Sequence, residues 1–286
     1  MLEIINREGN RRKVHGSTEI SLLSSQATVH GPLPKFAGPG AWMISARRTY
    51  FDIMIDAMSA IMDDDDFEFP YHFTDFHSKL TRDFQSGDKL SLTFYHGADV
   101  FDFEDEDELF MKWGNNTISA NFMHLFSPKY FGHFLVAYSQ FGDEFRTEDE
   151  DMMKDYVKDF TGRGMISTAF YNHTVEVGLE AKYLSILNRL EMPYVDEPVW
   201  DWDNNAGIIS LYGQDEWSPS PLWRFILGLR NEFCTSGNYF RASPRFSAMR
   251  VLDTQTRIKL SIGQYYQYFQ AVPKVSEMGL SLFDTW

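Results

Sequence analysis

The sequence predicts an all-β chain, an antiparallel transmembrane β-barrel of which it supplies only part. Three observations predict it: apolar and polar residues alternate with a period of two, the alternating segments are about as long as a tilted bilayer crossing of roughly 9 to 11 residues, and the connections between them are by turns short and long. Aromatic residues make up 16% of the 286, with 25 Phe, 14 Tyr and 7 Trp, a richness that suits ring girdles at two membrane interfaces. Uninterrupted apolar runs such as FLVAY at 134–138 fall far short of the ~18 residues a membrane helix needs. A mean hydropathy of -0.35 is neutral, because a barrel hides its apolar band in every second residue.

Taken in order, residues 13–21 and 24–33 read as a hairpin, followed by the turn GPLPKFAGPG. Strands are then expected near 41–56, 71–85, 89–103, 112–127, 129–145, 155–170, 174–190, 205–217, 222–233, 241–252 and 256–271. The alternation is cleanest in TVEVGLEAKYL, where Val175, Val177, Leu179, Ala181 and Tyr183 share one face and Glu176, Glu180 and Lys182 the other, a pattern that a helix would scramble. KLSLTFY sets Leu90, Leu92 and Phe94 against Ser91, Thr93 and Tyr95, and RIKLSIGQYYQYF repeats the scheme from Arg257. A soluble β-sandwich also alternates, but its strands usually run about 5 to 6 residues. In DIMIDAMSAIM, Ile55, Met58 and Met62 recur at helical spacing, so either a short amphipathic helix or a strand overhang fits there.

The short connections are SGD at 86–88, SPK at 127–129, YNHT at 171–174, SPSP at 218–221 and DTQT at 253–256, all built from turn residues. Between them lie longer stretches at 57–70, 104–111, 146–154, 191–204 and 234–240, several of them acidic. Short periplasmic turns alternating with long outside loops are the sequence form of an outer-membrane barrel.

Charge and cysteine content narrow the function classes. A net charge of -15 disfavours nucleic acid as a partner. The single Cys234 rules out an internal disulfide and a cysteine-cluster zinc site. No cofactor or metal is expected. The first residues carry no secretory apolar run, so the expectation is an internal fragment of a longer chain.

At this point the residues resemble a known family. LEIINREGN resembles the last plug strand of TonB-dependent receptors, which ends in a polar turn before the chain enters the barrel. EISLLSSQATVHGPLPK and WMISARRTYFD resemble that family's first barrel strands, particularly in receptors of Bacteroidetes-type bacteria. YHFTDFHSKL, WGNNTISANFMHLFSPKYF, HTVEVGLEAKY, YGQDEWSPSPLWRFILGLRNE and ASPRFSAMRVLDTQTRIKLSIGQYYQ follow in the expected order, so the likeness covers nearly the whole chain. It implies residues 1–12 as the end of a plug domain and 13–286 as the N-terminal part of the barrel, with about 13 of roughly 22 strands.

The resemblance further implies residence in the outer membrane of a Gram-negative bacterium, in contact with its lipid and lipopolysaccharide. A scarce ligand such as a siderophore, cobalamin or glycan would be imported, energised by TonB through the N-terminal region. No bond in the ligand is broken, so no catalytic residue is expected; the alternative is a passive porin-like channel.

Among individual residues, Arg47, Asp75, His77 and Lys79 are the candidates for a lumen-facing, plug-facing row. Adjacent Arg47 and Arg48 must point oppositely, so at least one must be paired or lie near an interface. His72, Asp75 and His77 invite a hydrolase reading, but odd spacing separates His72 from Asp75, and a polar lumen row explains the rest. Asp64 and Asp66, and Glu106 in the next loop, could offer oxygen ligands to calcium or a cationic substrate, although their spacing matches no EF-hand loop and acidic runs are usually solvated faces. Trp200 and Trp202, placed in an outside loop, could stack on a ligand; Trp217 and Trp223 beside the SPSP turn suit interface anchoring better.

Overall fold

The computed structural model describes residues 7–62, 69–103, 109–147, 152–192, 195, 198–268, 275–276 and 279–280. Thirteen long strands follow one another in chain order in one sheet, β1 to β13. They are β1 His15–Ile20, β2 Ser24–Pro32, β3 Gly40–Thr49, β4 Tyr71–Asp83, β5 Lys89–Phe103, β6 Leu109–Ser127, β7 Tyr130–Arg146, β8 Met152–Phe170, β9 His173–Glu191, β10 Trp200–Ser220, β11 Trp223–Cys234, β12 Tyr239–Val251 and β13 Arg257–Gly263. A short hairpin, β14 Val275–Ser276 and β15 Gly279–Leu280, stands apart. Among the described residues no helix is long and apolar enough to cross a membrane.

Two compact units make up the chain. The first comprises Met1–His124, Leu135–Thr161 and Leu184–Asn204, the second Leu125–Phe134, Gly162–Tyr183 and Asn205–Trp286. In the first, β1 to β6 pair antiparallel with their neighbours. Directly opposed residues share a face, so the register sorts the side chains. Gln26, Arg47, Asp75, Gly97 and Asn115 run across one face, as do Thr28, Ser45, His77, Tyr95 and Thr117. Val29, Ile44, Ser78, Phe94 and Ile118 run across the other. One face of this unit is therefore polar and the other mainly apolar, as the alternation in KLSLTFY requires.

The second unit repeats the division. Ile209, Leu211, Leu227, Leu229, Phe246 and Ile262 share its apolar face, while Ser210, Tyr212, Arg230, Glu232, Arg241 and Arg245 share its polar face. Leu227 is 66% and Ile262 70% exposed. A contiguous apolar surface of this extent is foreign to a soluble monomer, whereas in hydrocarbon each Leu-sized side chain gains roughly 1.5–3 kcal/mol. At the short-turn end, rings run continuously from Phe170 to His173 at 5.5 Å, His173 to Trp217 at 6.0 Å, Trp217 to Phe225 at 5.5 Å and Phe225 to Trp223 at 5.6 Å. Trp217 and Trp223 thus form an aromatic belt, the arrangement that anchors a barrel at an interface.

Local chemistry sets the turns. In 252–256 the Asp253 carboxylate accepts the backbone N–H groups of Gln255 and Thr256, each at 2.8 Å, and these bonds hold its pKa below the usual carboxylate value. Gly237 at φ 80° and Asn238 at φ 54° close the β11–β12 turn in the left-handed region that these two residue types tolerate. β13 stops where Pro244 faces it. The Gln264 backbone N–H donates to the Pro244 carbonyl at 3.0 Å, but proline has no N–H for the return bond, so the ladder ends there.

Four expectations are corrected. The strand expected at 41–56 ends at Thr49, because the helical spacing of Ile55 and Met58 prevails and α1, Phe51–Met62, follows. The stretch 234–240 is a tight turn of residues 235–238 rather than a long loop. The strand expected to reach 271 ends at Gly263 for the reason just given. Trp200 and Trp202 lie in β10 and not in an outside loop. The run WDWDN keeps the period-two pattern, and β10 with its 21 residues is roughly 70 Å long at ~3.4 Å per residue, far longer than an apolar band of about 25 Å.

Candidate functional site

The polar face of the first unit carries a connected set of charged and aromatic side chains. Arg47 on β3 lies opposite Asp75 on β4 and binds it through Nε at 2.8 Å and again through a second guanidinium nitrogen. The other Asp75 oxygen accepts the Tyr95 hydroxyl at 2.8 Å. Farther from the turn that joins β4 to β5, the Tyr71 hydroxyl donates to Asp99 at 2.6 Å. Thr49, 3% exposed, accepts the backbone N–H of Phe73 at 2.8 Å, fixing that strand beneath the Arg47 guanidinium, which lies 4.6 Å from the Phe73 ring centre.

Above this polar row the rings gather. Tyr71 and Phe101 are 4.6 Å apart, Phe69 and Phe101 5.4 Å, Phe51 and Tyr71 5.9 Å, and Phe101 and Trp113 6.0 Å. α1 contributes Phe51 to the cluster, which is what its apolar spacing achieves. The wall thus offers aromatic faces next to fixed charges, a combination able to bind an amphipathic ligand by stacking and charge-assisted hydrogen bonds.

Arg47, Asp75, His77 and Lys79, predicted as one row, do share the polar face. Arg47 finds its carboxylate within the sheet itself, and Arg48 points the other way to Asp52 of α1 at 2.6 Å. His72 lies on the face opposite Asp75, 3.5 Å from Asp52. The Nε2 of His77 is buried without a hydrogen-bond partner among the described residues, and both Asp75 oxygens are occupied by Arg47 and Tyr95, so His77 and Asp75 are not coupled as a catalytic pair would be.

Sequence reasoning set Tyr95 on the polar side of KLSLTFY without singling it out, and missed Tyr71 and Asp99, which parity could have found, since Tyr71 shares the face of Asp75 and Asp99 that of Tyr95. Asp64, Asp66 and Glu106 lie outside the described residues, and Trp202 is half-buried within β10. No cluster of three potential metal ligands occurs among the described residues.

At the opposite end of this unit the segment before β1 is fastened to the sheet. Asn10 donates its backbone N–H to His30 at 3.1 Å, and its side-chain oxygen accepts the N–H groups of Arg12 and Lys13. Glu8 pairs with Lys89 and, at 2.8 Å, with Arg11; Arg11 reaches Asp83 at 2.7 Å. Burial tends to raise the Glu8 pKa, but the bonds from Lys89 and Arg11 outweigh it and hold it below the usual value. A Cβ on Gly9 would collide with the Trp42 carbonyl, so only glycine lets the chain pass this close.

The polar face of the second unit has its own network. Arg230 binds Glu180 at 2.7 Å, Glu232 at 2.8 Å and the Ser210 hydroxyl at 2.8 Å. Its partners lie on β9, β10 and its own strand β11, so the guanidinium ties three strands together.

No family model matches the chain, and no curated protein matches it. Solved structures do. It is similar to the siderophore receptor PirA from Pseudomonas aeruginosa at 16% identity, covering 92% of this chain and 46% of that one with a TM-score of 0.58. A mutant of the ferric enterobactin receptor PfeA from Pseudomonas aeruginosa gives a TM-score of 0.65 at 12% identity, with 93% and 45% covered. The outer membrane transporter YddB from Escherichia coli gives 0.60 at 13% identity, with 85% and 38% covered. The chain spans less than half the length of each of these structures. Its fold is therefore that of part of the antiparallel β-barrel these structures share, the fold that the sequence resemblance implies.

Proposed function

We propose that this chain forms part of the barrel of a TonB-dependent importer in the outer membrane of a Gram-negative bacterium, carrying a scarce ligand such as a siderophore, cobalamin or glycan. The observation that carries the reading is the segregation of faces: apolar side chains on one side of the strands, and an ion-paired, ring-lined polar wall on the other. In this reading the apolar face meets lipid and lipopolysaccharide and the polar face lines the lumen. Arg47, Asp75, His77 and Lys79 face a plug of which residues 1–12 are the end. Support for the plug assignment comes from the close fastening of Glu8, Gly9 and Asn10 to β2, β3 and β5. The barrel works as a shell and breaks no bond in its ligand.

The test uses the complete gene containing this reading frame, in its own host. Sequencing on both sides of it should reveal a signal peptide, TonB box and plug upstream and further alternating strands downstream. Deletion of the gene should abolish uptake of one nutrient from a panel of iron, copper, cobalamin and glycan sources, and an uncoupler should stop that uptake in the wild type. Uptake that persists in uncoupled cells would instead mean a passive channel.

A further inference from the structure

On the polar face of β11 to β13, cations outnumber anions in an otherwise acidic protein. Arg224, Arg230, Arg241, Arg245, Arg257 and Lys259 lie there with Glu232. Arg224 is held by Glu216 at 3.1 Å and Arg230 by Glu180 and Glu232. Glu232 is directly opposite Arg241 in the register, yet its oxygens go to Arg230 at 2.8 Å and to the Tyr268 hydroxyl at 3.4 Å. Among the described residues, neither Arg241 nor Arg245 has a carboxylate partner.

Both guanidinium groups are nevertheless held in place. Arg241 lies between the rings of Tyr239 and Tyr266, at 5.2 and 5.5 Å, and donates one bond to the Phe240 carbonyl at 3.0 Å. Arg245 lies 4.7 Å from the Tyr265 ring centre. Its cross-strand neighbours on the same face are Gly228 on one side and Gly263 on the other, so no neighbouring side chain in the register covers its flanks. Stacking on a ring immobilises a guanidinium while leaving its N–H edge free, and a cation fixed in advance loses little entropy when an anion arrives.

We propose that Arg241, braced by Tyr239 and Tyr266, and Arg245, braced by Tyr265, are two oxyanion-binding points of one site along β12, each taking a carboxylate or phosphate group. Its two possible sources are an imported anionic ligand and an acidic side chain of the protein's own plug. The site deepens the import reading and rests on it for the path by which a ligand would arrive.

The test follows thermal unfolding of the complete full-length protein in detergent at low ionic strength, with citrate and pyrophosphate as probes. The variants are R241Q/R245Q and Gly228→Glu. An added Cβ at Gly228 meets its nearest neighbour, Gln214, at 3.4 Å, an ordinary contact, and a glutamate there, directly opposite Arg245, would offer it an internal carboxylate. If the anion comes from outside, a probe raises the wild-type melting temperature and binds with its affinity cut roughly tenfold or more in either variant, while the unliganded melting temperature of R241Q/R245Q is unchanged. If the anion is the plug's, no probe binds and R241Q/R245Q melts lower at low salt but not at 1 M NaCl, where ion pairs are screened. Equal probe binding by wild type and R241Q/R245Q, or no binding with either an unchanged or a salt-independent melting temperature, overturns the site. Probe binding in a protein that drives no energised uptake sinks the import reading alone, whereas energised uptake without an oxyanion site sinks this proposal alone.

Discussion

Asp75 gathers more of the first unit's polar wall than any neighbouring side chain, since one carboxylate satisfies both Arg47 and the Tyr95 hydroxyl. Replacing it with Ala strands a guanidinium and a hydroxyl together. Arg47 is 44% exposed in its side chain, so water takes up much of the loss, and about 1 kcal/mol of destabilisation is expected. Thr93→Ala on the same face should change stability by less than about 0.5 kcal/mol. Denaturant midpoints of the full-length protein in detergent measure both. Glu8 supplies a pH dependence of defined sign. Its folded pKa is lowered, so its contribution is complete above the unfolded value of about 4.3 and is lost as pH falls through the folded value. The protection of amides in residues 7–13, corrected for the slower intrinsic exchange in acid, should therefore fall on acidification, and Glu8→Gln should weaken that pH dependence, leaving the part carried by Asp83.

At the scale of the element, the two faces of a strand differ in what they tolerate. Leu227→Arg on the apolar face should cost roughly 2–4 kcal/mol in lipid if it lies near mid-depth. Ser247→Arg, on the polar face, should cost well under half of that. Folding yield into phospholipid vesicles separates the two, and equal costs would contradict the facial assignment. Pro244→Ala should restore the missing donor opposite Gln264. The gain of one ladder bond, about 1 kcal/mol, is offset by the freer unfolded chain, about 0.4–1 kcal/mol. Global stability should scarcely move, while amide exchange around Gln264 slows. Parity in the sequence made most strands legible for the same reason that these contrasts exist: a period of two survives wherever one face must be apolar. It failed at 50–56, where helical spacing competed and a single sequence could not show which period would win. It also failed at Gly263, where one proline on the adjacent strand ended a run that still alternates in sequence.

For the whole molecule, the alternation of connections between the two ends of successive antiparallel strands predicts a topology that labelling can test. In a Cys234→Ser background, where the native thiol is buried at 1% exposure, a cysteine at Ser236 should react with a membrane-impermeant maleimide on intact cells. A cysteine at Ser86 or Asn172 should react only after the outer membrane is permeabilised. Labelling at all three sites from outside would contradict the proposed orientation.

The sequence by itself determined the class of fold, the number of long strands and the sharing of one face by Asp75, His77 and Lys79, because each follows from local periodicity and turn chemistry. Only the tertiary structure decided which residues meet across strands. Register placed Tyr95 and Arg47 on one carboxylate, spent Glu232 on Arg230 and Tyr268, and left Arg241 and Arg245 to the tyrosines. Register is a long-range property, set by the pairing of whole strands, and one sequence read along its length carries the period of a strand but not the identity of its neighbour's opposing residue.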